Sequence, residues 1–113
     1  MGKSKGINAR RAGHDFERRL AQELRSIYPN IQTSRYGSRE ADDNGVDFIN
    51  TGCVAIQAKR TKARPNFGEV FEHMKTNVAK VLVWKDASVR GKGGEYAVLP
   101  LEDLLTILMD LEG

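Results

Sequence analysis

The sequence of 113 residues has a single cysteine, Cys53, which excludes an internal disulfide framework and a zinc centre made of clustered cysteines. Its two histidines, His14 and His73, have no partner histidine or cysteine at ligand spacing and read as surface positions. No apolar run approaches the roughly 18 residues that a membrane span needs, and the opening MGKSKGINARR has no apolar signal core. A cytoplasmic chain with no membrane partner is the expectation. No repeat, low-complexity tract or long linker divides the sequence. One domain over residues 9–113 is therefore expected, after a flexible basic tail over residues 1–8.

The apolar share of 40% and charged share of 29% belong to an ordinary globular chain, so the distribution of charge says more than its total of +3. Up to Arg39 there are nine lysines and arginines but only three acids, Asp15, Glu17 and Glu23. A second basic cluster, KRTKAR, runs from Lys59 to Arg64, whereas the end, LEDLLTILMDLEG, is acidic. Clustered bases of this kind suit a polyanion, because binding one releases its counterions. A solvated basic helix is the alternative.

Asn8 as a cap and the stripe Phe16, Leu20, Leu24 and Ile27 predict a helix from Ala9 to Tyr28. Glu17 lies beside that stripe, where its carboxylate can point along the edge of the core. Strands are expected over 31–35, 46–49 and 53–59. A polar loop over 36–45 separates the first two, and Asn50-Thr51-Gly52 turns between the second and third. A helix over 67–77, a central strand over 80–84, a strand over 95–99 and a leucine-rich final helix complete the pattern. The order α-β-β-β-α-β-β-α predicts an α/β (α+β) domain with one mixed sheet flanked by helices. Trp84 and Tyr96 are expected in its core.

The informative stretch is GVDFINTGCVAIQAKR, Gly45 to Arg60. Strand alternation places Cys53, Ala55, Gln57 and Lys59 on one face and Val54, Ile56 and Ala58 on the other. Cys53 reads as a small packing residue there. If the register permits, Asp47 brings a carboxylate to the amide oxygen of Gln57 and the ammonium of Lys59. Two hard oxygen ligands suit Mg²⁺, and a lysine beside them can stabilise charge or help to activate water. Glu17 is a candidate further ligand. A purely structural alternative has Asp47 capping the turn, Gln57 bonding within the sheet and Lys59 reaching out to solvent.

Asp47, then Gln57-Ala58-Lys59 ten residues on, resembles the PD-(D/E)xK nuclease motif in its QxK variant. With NARRAGHDFERRLAQEL and SRYGS ahead of the aspartate, the chain is most similar to the archaeal-type Holliday junction resolvases, and it also resembles Mrr-like endonuclease domains. The resemblance implies a restriction-endonuclease-like core with catalytic Glu17, Asp47, Gln57 and Lys59. Metal would be held by Glu17, Asp47, Gln57 and the Ala58 carbonyl. It further implies Mg²⁺, with Mn²⁺ as substitute, and nicks that leave 5′-phosphate ends. Four-way DNA junctions would be resolved by paired nicks in a homodimer, with DNA held by Arg10, Arg11, Arg18, Arg35, Ser38, Arg60, Lys62 and Arg64. Gln57 carries one negative charge fewer than the usual glutamate, and Asp42 or Asp43 could supply it. Leu101, Leu104, Leu105, Ile107, Leu108 and Leu111 make the final helix a candidate dimer face, or else a cover for the sheet. Other readings are a nuclease of duplex or modified DNA and a non-catalytic nucleic-acid-binding module.

Overall fold

The computed structural model describes residues 2–113, with side chains from residue 8 onward. Helix α1 spans Gly2–Leu24 and buries Phe16, Leu20 and Ala21. Its start differs from the expectation. Residues 2–8 of the supposed tail are helical, and Asn8 lies inside the helix instead of capping it. The lysines and the Ala9–Ala12 run are good helix formers, so nothing forces a start at Asn8. Met1 lies outside the described residues. The far end also differs: the N–H groups of Ile27 and Tyr28 both donate to the Leu24 carbonyl, at 2.9 and 2.8 Å, which closes a turn. Ile27 is consequently 66% exposed and does not extend the buried stripe.

Strand β1, Gln32–Thr33, pairs antiparallel with β2, Phe48–Ile49. Between them the expected polar loop is replaced by two short helices, α2 (Ser34–Gly37) and α3 (Arg39–Asp43). One oxygen explains α3: Ser38 Oγ accepts the Ala41 N–H at 3.2 Å and caps the first turn. Strand β3, Val54–Thr61, runs parallel to β4, Ala79–Asp86, and the crossover between them carries α4, Phe67–His73. Strand β5, Glu95–Val98, pairs antiparallel with β4 and leads to α5, Leu101–Glu112. Helix α4 stops short of the expected residue 77, because the Lys75 N–H donates to the Asn44 carbonyl and carries Met74 into the core.

The α+β class stands, but the single mixed sheet does not. β1 and β2 form one sheet, and β3, β4 and β5 a separate mixed one. The physical reason lies between β2 and β3. There the Ala58 N–H donates not to a carbonyl but to Asp47 Oδ2, at 2.7 Å, so the ladder is interrupted by a side chain.

Two apolar clusters cover the faces of β3. Ile56 and Ala58 pack with Phe16, Leu20, Ile31 and Phe48 under α1. Ala55 packs with Val70, Met74, Leu82 and Trp84 under α4. Each fully buried large side chain contributes roughly 1.5–3 kcal/mol. Two expectations fail at the rim. Cys53 is exposed just before β3, outside any packing face. Tyr96 is 56% exposed although its ring lies 6.0 Å from that of Trp84. Helix α5 has no buried residue, so it does not act as a full cover for the sheet.

Candidate active site

Alternation in β3 fixes the first part of the site. Gln57 and Lys59 leave the strand on the α4 side and line an open cleft of about 530 Å³, together with Asp42, Asp43, Glu69 and His73. Gly45 shapes its rim. With φ 75° it adopts a backbone that favours glycine, and a Cβ there would lie 2.8 Å from the His73 carbonyl oxygen. That close approach holds α3, and with it Asp42 and Asp43, against the end of α4. Glu69 and His73 lie one helical turn apart on α4, and His73 Nδ1 lies 2.8 Å from the Glu69 carbonyl oxygen. No local pattern in the sequence assigns either residue to the site, since only the crossover brings α4 over Gln57.

Asp47 occupies the edge of β3 and not the cleft wall. Its N–H donates to the Ile56 carbonyl at 2.9 Å, while its carboxylate accepts the Ala58 N–H. The residue is thereby pinned by two consecutive bonds to β3. The Ala58 carbonyl leaves the strand on the same side as its N–H and so faces the same edge. Burial pushes the Asp47 carboxyl up from 3.8 to about 6. The nearby charges of Glu17 and Asp42 push in the same direction, and the Ala58 N–H and the Lys59 ammonium oppose them. These couplings place Glu17, Asp42 and Lys59 within electrostatic reach of Asp47.

Glu17 comes from the opposite face, on α1. Burial raises its pKa above the usual carboxylate value, and the Asp42 charge adds to that. Arg35 opposes both, since its guanidinium donates to Glu17 Oε2 at 2.8 Å. Arg35 is thus engaged by Glu17 at the surface and does not stand free for a phosphate. Ser38 is likewise engaged as the α3 cap. A further contact not expected from sequence comes from Ser34, which is 1% exposed and whose hydroxyl lies 3.4 Å from Asp42 Oδ1. No pattern in the sequence signals it.

The remaining basic residues lie at the surface. Arg10, Arg11, His14 and Arg18 line a shallow groove along α1, and Arg18 pairs with Asp15. Arg35, Arg18 and Arg10 hold the His14 pKa below its ordinary value along with burial, the largest cause. Arg60 and Lys62 are exposed, and Arg64 lies 5.6 Å from the centre of the Phe67 ring.

Whether this donor set suits a hard cation turns on one atom. Gln57 Oε1 is buried with no hydrogen-bond partner, the only such side-chain atom among the described residues. A buried oxygen without a donor costs about 1–3 kcal/mol, so a cation there would supply what the chain does not. Among the described residues no three His, Cys, Asp or Glu side chains form a ready metal group. Mg²⁺ does not require one, because it keeps several waters and uses one or two carboxylates. Asp47 and Gln57, with Glu17 or Asp42 nearby, fit that demand. Compared with protein-family models, curated proteins and solved structures, the chain finds no match.

Proposed function

We propose that this protein is a metal-dependent endonuclease that cuts branched DNA, with the four-way junction as substrate and a homodimer as the acting form. The observation that carries the reading is the orphaned Gln57 Oε1 on the strand whose Ala58 N–H pins the Asp47 carboxylate, with the Lys59 ammonium in electrostatic reach of that carboxylate. The resemblance to the D…QxK pattern supplies the substrate class and the expectation of 5′-phosphate ends.

Asp47, Gln57 and the Ala58 carbonyl would hold Mg²⁺ or Mn²⁺, with Glu17 from the side of α1. When bound, the ion supplies Lewis-acid stabilisation of a phosphoryl oxygen and eases ionisation of a water. The rest of the work belongs to the chain. The hydrogen bond from the Ala58 N–H fixes the Asp47 carboxylate, so its free oxygen needs no reorganisation. Lys59 opens into the cleft, where its ammonium orients the attacking water and offsets charge on the scissile phosphate. Arg35 keeps Glu17 oriented and limits the repulsion between Glu17 and Asp47. Arg10, Arg11, Arg18, Arg60, Lys62 and Arg64 bind backbone phosphates without base readout. The exposed leucines of α5 offer the apolar face that a second copy would cover, and two symmetric nicks need two such sites.

The test is purified protein with Mg²⁺ on a four-way junction, a linear duplex and single strands, with Asp47→Asn and Lys59→Ala alongside. Paired symmetric nicks confined to the junction are expected from the unmutated chain only. Equal cutting of plain duplex would move the assignment to a duplex nuclease. Binding without cutting would leave a non-catalytic DNA-binding module.

A further inference from the structure

A second cleft, of about 500 Å³, lies on the α1 side of the sheet, between that helix and the loop joining β4 to β5. Lys59 and Arg60 are consecutive in β3 and therefore diverge: Lys59 faces the first cleft and Arg60 this one. Its floor is unusual. Lys85 is only 7% exposed, yet no carboxylate pairs with it among the described residues. Its Nζ instead donates to the carbonyls of Gly91 and Gly93, at 2.9 and 2.5 Å. Two neutral carbonyls shape the loop but bring no countercharge, and the neighbouring Asp86 carboxylate acts on the ammonium through space without pairing with it.

The acids at the rim are already occupied, Glu95 by Arg19 and Asp15 by Arg18. Arg60 and Arg90 are exposed and join no ion pair among the described residues. The backbone also commits to this shape: Gly91, Gly93 and Gly94 all have positive φ, and a Cβ at Gly94 would meet the Val89 side chain at 2.8 Å. A preformed, net positive concavity with a buried ammonium beneath it and two free guanidiniums above it is complementary to a phosphodiester.

We propose that the cleft between α1 and the β4–β5 loop is a binding site for a nucleic-acid backbone phosphate, with Arg60 and Arg90 as its ligands and Lys85 as its charged floor. Only the owner of the phosphate rests on the reading of the chain as DNA-binding. A strand passing the end of β3 then meets Lys59 on one face and Arg60 on the other.

Fluorescence anisotropy with a labelled four-way junction, in EDTA so that nothing is cut, tests this on the exposed pair Arg60→Ala/Arg90→Ala. Between about 50 and 200 mM salt the slope of log affinity against log salt should fall by roughly 2, with about tenfold weaker binding at the upper end. An unchanged slope overturns the proposal even where the unmutated chain nicks junctions. Loss of slope in a chain that binds but never nicks upholds the cleft and removes the nuclease reading. No DNA binding by the unmutated chain overturns both. Inorganic phosphate, followed by amide chemical shifts, separates the two possible owners. Movement of Gly91 and Gly93 with phosphate, joined to an unchanged DNA slope, means a free-phosphate site and overturns the nucleic-acid assignment. Shifts confined to Arg10 and Arg11 place the anion on the wrong surface and overturn the cleft itself.

Discussion

β3 and β5 are the outer strands of one three-stranded sheet, and the chain finishes their free edges in opposite ways. Along β3 lies Asp47, pinned to Ala58 and half-buried within reach of other carboxylates. Along β5 no strand follows among the described residues. Tyr96 is exposed there, and Leu101, Met109 and Leu111 of the next helix are 69%, 73% and 75% exposed. The first edge accumulates charge at a cost in stability, whereas the second leaves apolar surface uncovered. On the proposed function chemistry belongs to the former and association to the latter, because only buried charge can be tuned and only bare apolar area gains by being covered.

The comparison breaks most sharply in activity. Asp47→Asn and Lys59→Ala at the β3 edge should each lower junction nicking about a thousandfold, seen as loss of nicked strands on a denaturing gel. The double change Leu104→Lys/Leu108→Lys on α5 should leave each remaining nick intact but uncouple the pair, so that single nicks replace resolution.

Stability sharpens it next, in the opposite direction. An acid whose folded pKa is raised, as that of Asp47 is from 3.8 to about 6, weakens the fold when ionised. In EDTA, Asp47→Asn should therefore be more stable than the unmutated chain near neutral pH, by up to about 3 kcal/mol. That advantage should shrink as pH falls through about 6 and vanish near 4, as read from urea midpoints. Asp47→Ala, which strands the Ala58 N–H, should fall about 1–3 kcal/mol below Asp47→Asn. A pH-independent gap between Asn and Asp would contradict the burial of a charge at this edge.

The smallest effect is expected on α5. Leu104→Lys/Leu108→Lys removes no buried side chain, so the stability of the monomer should change by only about 0.5 kcal/mol. Sedimentation should nevertheless show a smaller species than the unmutated chain. A large loss of monomer stability would mean that the helix is structural and not an interface.

What the sequence revealed follows the range of the interactions involved. Gln57 and Lys59 share a face through alternation, a property of neighbouring residues, and their placement in one cleft follows the expectation. The short turn between β2 and β3 was equally readable, although the expected strand over 46–49 is reduced to Phe48–Ile49 and leaves Asp47 just outside it. The break between the two sheets was not, because it depends on one carboxylate replacing a carbonyl as acceptor for Ala58. Helix α3 hangs on a single hydroxyl cap, and α2 has no side-chain cap at all, in a stretch rich in turn-forming residues. The capture of Arg35 by Glu17 joins residues 18 positions apart on separate elements. The Lys85 cleft gathers residues from Ala12 to Glu95, and no local period marks such a set. Tyr96 failed for a related reason: a strand of four residues has alternation but nothing to say which face is covered.

The Asp47–Ala58 hydrogen bond has a consequence for the order of folding. It links positions 11 apart, whereas the parallel ladder must bring Val54 to Ala79 across the whole α4 crossover. A loop of about ten residues closes in roughly 10–100 ns, while non-local parallel pairing is intrinsically slow. The polar edge is therefore poised to assemble in the nascent chain before the sheet that later shields it. Asp47 and Ala58 are then among the first residues to find each other, and the core closes over an edge already drawn together.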